Sequence, residues 1–185
     1  APGAGAPEAG ADAGLKPLEP AVAEGAAAIE LPSPPLEGGR ASREERRVEA
    51  LLGSLTLRQK IGQRFMTGFP GKRASDRSLR LIREGYVGGL LLTRGNIQSR
   101  GQIRELTTAL QNAAGENSPP IGLFIGIDQE GGRVSRLDLD NVTRFAAPYY
   151  WSEYRDPWYV ESIAYIAGRE ALALGCNMNF APVLD

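Results

Sequence analysis

The sequence has 185 residues, 42% of them hydrophobic, and a formal net charge of −1, a length that suits one domain and a charge that gives a nucleic acid or an anionic membrane no basic face to bind. No His is present, which excludes Ser-His-Asp and Cys-His arrangements and imidazole metal ligands. The single Cys, Cys176, excludes an intrachain disulfide but leaves the redox compartment open, and no apolar run approaches the roughly 18–20 residues of a membrane span.

Residues 1–40 contain 25 Ala, Pro or Gly and no aromatic residue. Such a stretch cannot bury enough apolar surface to offset the entropy of ordering it, so residues 1–41 are expected to be a disordered tether. The chain begins APGAG without Met, which fits a removed leader; an Ala/Pro tether of this kind favours the periplasm or the exterior over the cytoplasm.

Order is expected from Ser42. Ser42 and Glu45 make a capping box ahead of a helical stripe of Val48, Leu51, Leu52 and Leu55, and Thr56 with Gln59 repeats the signal. Residues 62–69, GQRFMTGF, form a first strand candidate, and DRSLRLIREG a short helix stopped by Gly85. VGGLLLT, 87–93, is an apolar strand. The next helix opens on a Ser99/Gln102 box, carries Ile103, Leu106 and Leu110 on one face, and stops at Gly115. IGLFIGID, 121–128, is a third strand. A helix follows with Asp156 as N-cap and Pro157 at its first position; Val160, Ile163, Ala164, Ala167, Ala171 and Leu174 share a face, and Gly175 ends it. NMNFAPVLD, 177–185, is the last strand, with no helix after it to cover it. Strands alternating with helices predict a parallel sheet with crossover helices. Four strands make either a small open sheet or half of an eight-stranded barrel, and the uncovered last strand points to a partial domain.

In both architectures functional groups collect beyond the C-terminal ends of the strands. Asp128 stands there, followed by Gln129, Glu130 and a Gly131-Gly132 pair that lets the chain turn. Arg133 and Arg136 come next, and an arginine eight residues after the aspartate can fold back to the same cleft. A carboxylate and a guanidinium fork suit vicinal sugar hydroxyls. The same residues also suit a structural ion-pair network. The glycine pair permits a phosphate cradle, but no GxGxxG fingerprint accompanies it.

TLRQKIGQRFMTG, VGGLLLTRGNI, IDQEGGRVSRL and GCNMNFAPVLD together resemble the N-terminal barrel domain of glycoside hydrolase family 3, nearest its bacterial β-N-acetylhexosaminidases, over about residues 55–185. The resemblance implies an α/β fold, the N-terminal half of a TIM-type (β/α)8 barrel, occupying 42–185 with its C-terminal half missing. It implies a retaining exo-acting enzyme for N-acetylglucosaminides, those derived from peptidoglycan among them, with a carbohydrate as partner and no cofactor. Asp128 matches the family's substrate-binding aspartate and Arg136 a substrate-binding arginine. Glu130 and Arg133 match positions taken as structural, and Asp185 is assigned to positioning a loop. No catalytic residue falls in this chain: the nucleophile and the acid/base are expected beyond Asp185, so the chain alone is expected to be inactive. RFAAPYYWSEYRDPW departs from the family pattern, and its Tyr149, Tyr150 and Trp151 are left between stacking on a sugar and packing against the missing half. The rivals are a β-glucosidase or β-xylosidase of the same family, a non-catalytic carbohydrate-binding protein, and a phosphate-binding α/β domain.

Overall fold

The computed structural model describes residues 42–154 and 156–183. The tether expected over 1–41 lies outside the described residues, as does Asp185. Both predicted capping boxes form. Ser42 and Glu45 satisfy each other's backbone N–H at the start of α1 (Arg43–Ser54), and Thr56 and Gln59 do so at α2 (Leu57–Gly62). The apolar stripe of α1 is there, but no residue of α1 is buried; Val48 and Leu52 face outward.

Four strands make one parallel sheet in the order β1-β2-β3-β6: β1 (Met66–Thr67), β2 (Gly89–Leu92), β3 (Phe124–Ile127) and β6 (Met178–Asn179). Between the first three run α3 (Asp76–Arg83) and α4 (Arg100–Gly115). The connection from β3 is longer. It holds a hairpin of β4 (Gln129–Gly131) and β5 (Val134–Ser135), then α5 (Pro148–Glu153) and α6 (Pro157–Ala173). Consecutive parallel strands lie side by side, so the chain winds in one direction with no switch in strand order. That is the winding of a barrel and not of a doubly wound open sheet, which decides between the two architectures that the sequence left open. The fold is α/β, with four strands of a TIM-type barrel.

The pleat sorts the strand residues onto two faces. Leu90 and Leu92 stand level with Ile125 and Ile127, and all four are buried. They form one core with Ile82 of α3, with Ile103, Leu106 and Leu110 of α4, and with Ala171, Leu174 and Cys176 at the end of α6. Each such aliphatic side chain contributes about 1.5–3 kcal/mol on burial. That outweighs an exposed ion pair such as Arg83–Glu116, worth about 0–1 kcal/mol. The other face carries Gly89, Leu91, Phe124 and Gly126, with Met66 and Phe180 lying over the two glycines. α6 meets its predicted pattern in part: Ile163, Ala167 and Ala171 are buried, whereas Ala164 is exposed.

Helix ends follow the chain's local chemistry. Ser99 caps α4 by accepting from Gln102 N–H, but the return half of the expected box is diverted. The Gln102 side chain instead accepts from Gln98 N–H and donates to the carbonyls of Lys72 and Asn96, so it ties the loop after β1 to the start of α4. Asp156 accepts from Trp158 N–H ahead of Pro157, and Gly175 takes φ +85° to end α6, as expected.

Candidate substrate-binding site

Asp128 follows the last residue of β3, and by the pleat it falls on the face of Gly126, the side away from the helices. The backbone then reverses at Gly131 and Gly132, with φ of +98° and +57°, conformations that favour glycine. The space there is closed to a side chain as well. A Cβ on Gly131 would meet the Ala146 carbonyl and lie 3.1 Å from the Trp151 ring. The reversal brings Arg136 back, and its Nη2 donates to Asp128 Oδ2 at 3.3 Å. The two side chains are 27% (Asp128) and 30% (Arg136) exposed, so each keeps polar atoms open to a ligand. The sequence-predicted pair is therefore brought together at a strand end as an ion pair, whereas Glu130 and Arg133, which the structural network also called for, form no ion pair among the described residues.

Gln129 was not singled out in the sequence. It is 3% exposed and uses both ends of its amide: Nε2 donates to Ser135 Oγ at 2.9 Å, and Oε1 accepts from Leu137 N–H at 2.9 Å. Asn179, at the end of β6, accepts from Gln129 N–H at 3.0 Å and donates to the Gln129 carbonyl at 3.2 Å. Asn177 does the same one step earlier, accepting from Ile125 N–H and donating to the Leu123 carbonyl. A pattern of apolar strands followed by Asn-x-Asn carries this signal, but only once the pairing of β3 with β6 is known.

A cleft of about 420 Å³ borders the hairpin, lined by Arg94, Gly132, Arg133, Ser135, Asp138 and Arg144 among others. Asp138 pairs with Arg144 at 2.8 Å and with Arg94 at 3.4 Å. A second cleft of about 440 Å³ lies between the 72–74 loop and α4, and neither Asp128 nor Arg136 lines either cleft. Trp151 sits in α5, 7% exposed, under the Gly131 turn, and its indole Nε1 has no hydrogen-bond partner among the described residues. Tyr149 and Tyr150 beside it are exposed and stack edge to face, 5.5 Å between centroids. Among the described residues, no three His, Cys, Asp or Glu side chains come together to hold a metal, and no helix is long and apolar enough to cross a membrane.

Residues 56–185 match the family model described as the glycosyl hydrolase family 3 N terminal domain. The chain belongs to glycosyl hydrolase family 3. Among its relatives in the family, the β-hexosaminidase A of Pseudoalteromonas piscicida is 40% identical over 108 residues, covering 57% of this chain and 18% of that protein. A β-hexosaminidase of Alkalilimnicola ehrlichii is 38% identical over 127 residues, covering 65% of this chain and 35% of that one. The structure of a family 3 β-N-acetylglucosaminidase from Paenibacillus sp. str. FPU-7 superposes with a TM-score of 0.65 at 44% identity, covering 69% of this chain and 24% of that one. The family 3 domain here thus spans 18–35% of the length of those two sequence relatives.

Proposed function

We propose that this chain supplies the sugar-binding half of the active site of a retaining exo-β-N-acetylhexosaminidase acting on N-acetylglucosaminides, including those released from peptidoglycan. The observation that carries the reading is the Asp128–Arg136 pair, half-open at the end of β3 on the barrel's inner face. A carboxylate there accepts hydrogen bonds from sugar hydroxyls, and the guanidinium donates to oxygens beside them. The relatives named as β-hexosaminidases support the choice of sugar. Retaining hydrolysis runs in two steps. A carboxylate attacks the anomeric carbon while an acid protonates the leaving oxygen, and water then releases the glycosyl-enzyme. In this proposal both reacting groups come from residues beyond Asp185, and Asp128 and Arg136 hold the sugar against them.

The test is Asp128→Ala in the full-length gene product, assayed with para-nitrophenyl N-acetyl-β-D-glucosaminide. Hydrogen bonds to a charged group are worth about 1.5–3 kcal/mol, so kcat/KM is expected to fall roughly 10–150-fold. Unchanged kinetics in a folded variant would leave Asp128 as an ion-pair partner only. Faster turnover of the aryl glucoside than of the N-acetylglucosaminide would move the protein to the β-glucosidase branch. Binding of N-acetylglucosamine without release of nitrophenol would make it a non-catalytic binder.

A further inference from the structure

We propose that Gln129 is a positioning residue for the sugar site. It holds Arg136 in place through a buried amide clamp that Asn179 anchors to the fourth strand. The proposal rests on the reading of Asp128 and Arg136 as sugar ligands. Arg136 is a long side chain whose one hydrogen bond among the described residues goes to Asp128, at 3.3 Å, longer than a tight charge-assisted bond. That contact alone would let the guanidinium wander. What fixes Arg136 is the hold on its two neighbours. The side-chain hydroxyl of Ser135, the residue before it, accepts from Gln129 Nε2, and the backbone N–H of Leu137, the residue after it, donates to Gln129 Oε1. One buried amide therefore brackets the arginine. Asn179 brackets Gln129 in the same way, through Gln129 N–H and C=O.

The chemistry demands an amide. The clamp uses one donor and one acceptor of the same side chain at once, which Glu cannot supply when ionised and Met cannot supply at all. Closing the hairpin does not demand it. Gln129 pairs with Ser135 and Gly131 with Val134 in the ladder, and Gly132 N–H reaches the Phe145 carbonyl, all without the Gln129 side chain. What the amide adds is a hold on the Ser135 hydroxyl and on Leu137 N–H, past the end of that ladder.

The experiment uses the full-length gene product and para-nitrophenyl N-acetyl-β-D-glucosaminide. Gln129→Met keeps the volume and removes the clamp. It is expected to raise KM about tenfold while kcat changes less than about threefold, because the loss is in holding the sugar. In an Arg136→Ala background the same substitution is expected to change KM less than about twofold, since residues that act through one another are not additive. A merely structural Gln129 would give equal effects in both backgrounds, and that result overturns the proposal. So does unchanged KM in a folded Gln129→Met. If Gln129→Met does not accumulate, Ser135→Ala removes one end of the clamp and is expected to raise KM about threefold, again only when Arg136 is present; no rise overturns the proposal. Silent Asp128→Ala and Arg136→Ala variants would discard the sugar-ligand reading and the clamp with it. Losses in those two variants beside silent Gln129→Met and Ser135→Ala would discard the clamp alone.

Discussion

Arg136 offers a sharper probe than deletion, because lysine keeps its charge and loses only the planar fork. If it holds a sugar by two parallel donors, Arg136→Lys lowers kcat/KM by about tenfold, whereas an exposed ion pair tolerates the swap with about 0–1 kcal/mol in stability. Steady-state kinetics beside a thermal melt separates the two. Cys176 is a different kind of residue. Burial in the core raises its thiol from 9.0 to about 11. The folded state thus holds the proton more tightly than the unfolded chain, so the contribution is fully present below pH 9 and is lost as pH rises toward about 11. At pH 8 the folded protein carries about 100-fold less thiolate than the unfolded chain, and Ellman's reagent is expected to label Cys176 only after denaturation. Rapid labelling of the native protein would contradict its burial in the core.

Elements dock here through glycines and short polar side chains as much as through aliphatic ones. Gly175 ends α6 at φ +85°, and a Cβ there would collide with Thr107 of α4, whose hydroxyl also donates to the Leu174 carbonyl. Gly175→Ala therefore meets both a left-handed backbone and a clash. It is expected to cost about 2 kcal/mol or more, read as a drop in urea midpoint without a change in slope. The ends of these helices were legible in the sequence because they are local: Ser42 with Glu45, Thr56 with Gln59, and Pro157 after Asp156 act within one turn. The four parallel strands were legible as elements, though β1 and β6 are two residues each and far shorter than the runs 62–69 and 177–185 that marked them, and Asp128 was legible from its place after β3. The β4–β5 hairpin and α5 were not legible. The two hairpin strands are three and two residues long with a single apolar side chain, Val134, between them, and PYYWSE carries aromatic rings where a helix signal would carry leucines. Nor were Gln129, Asn177 and Asn179 legible as partners of backbone groups, because bonds such as Asn179 to Gln129 span fifty residues of chain.

The molecule as a whole shows apolar surface on both sides of its sheet layer. Trp158, 69% exposed, stands with Tyr165, Ile166 and Leu172 on α6, and Phe124, Phe180 and Val183 are open at the sheet. Among the described residues, β1 and β6 are the edge strands of the sheet and have no outer partner. Expressed as residues 42–185, the chain is expected to self-associate and to release no nitrophenol, with light scattering after gel filtration reporting the size. A monodisperse monomer with turnover that Asp128→Ala abolishes would place the chemistry inside this segment. The side-chain amide of Asn179 has a further consequence. It stands in for a peptide group, bonding Gln129 N–H and C=O one step past the point where the sheet's own ladder stops at Ile127. The hairpin and the fourth strand are thereby joined into one cooperative opening unit. In deuterated water the amides of Gln129 and Leu137 should exchange in the same event as that of Phe180, which donates to the Ile127 carbonyl. The hairpin that carries Arg136's neighbours and the barrel's fourth strand would then breathe at one rate.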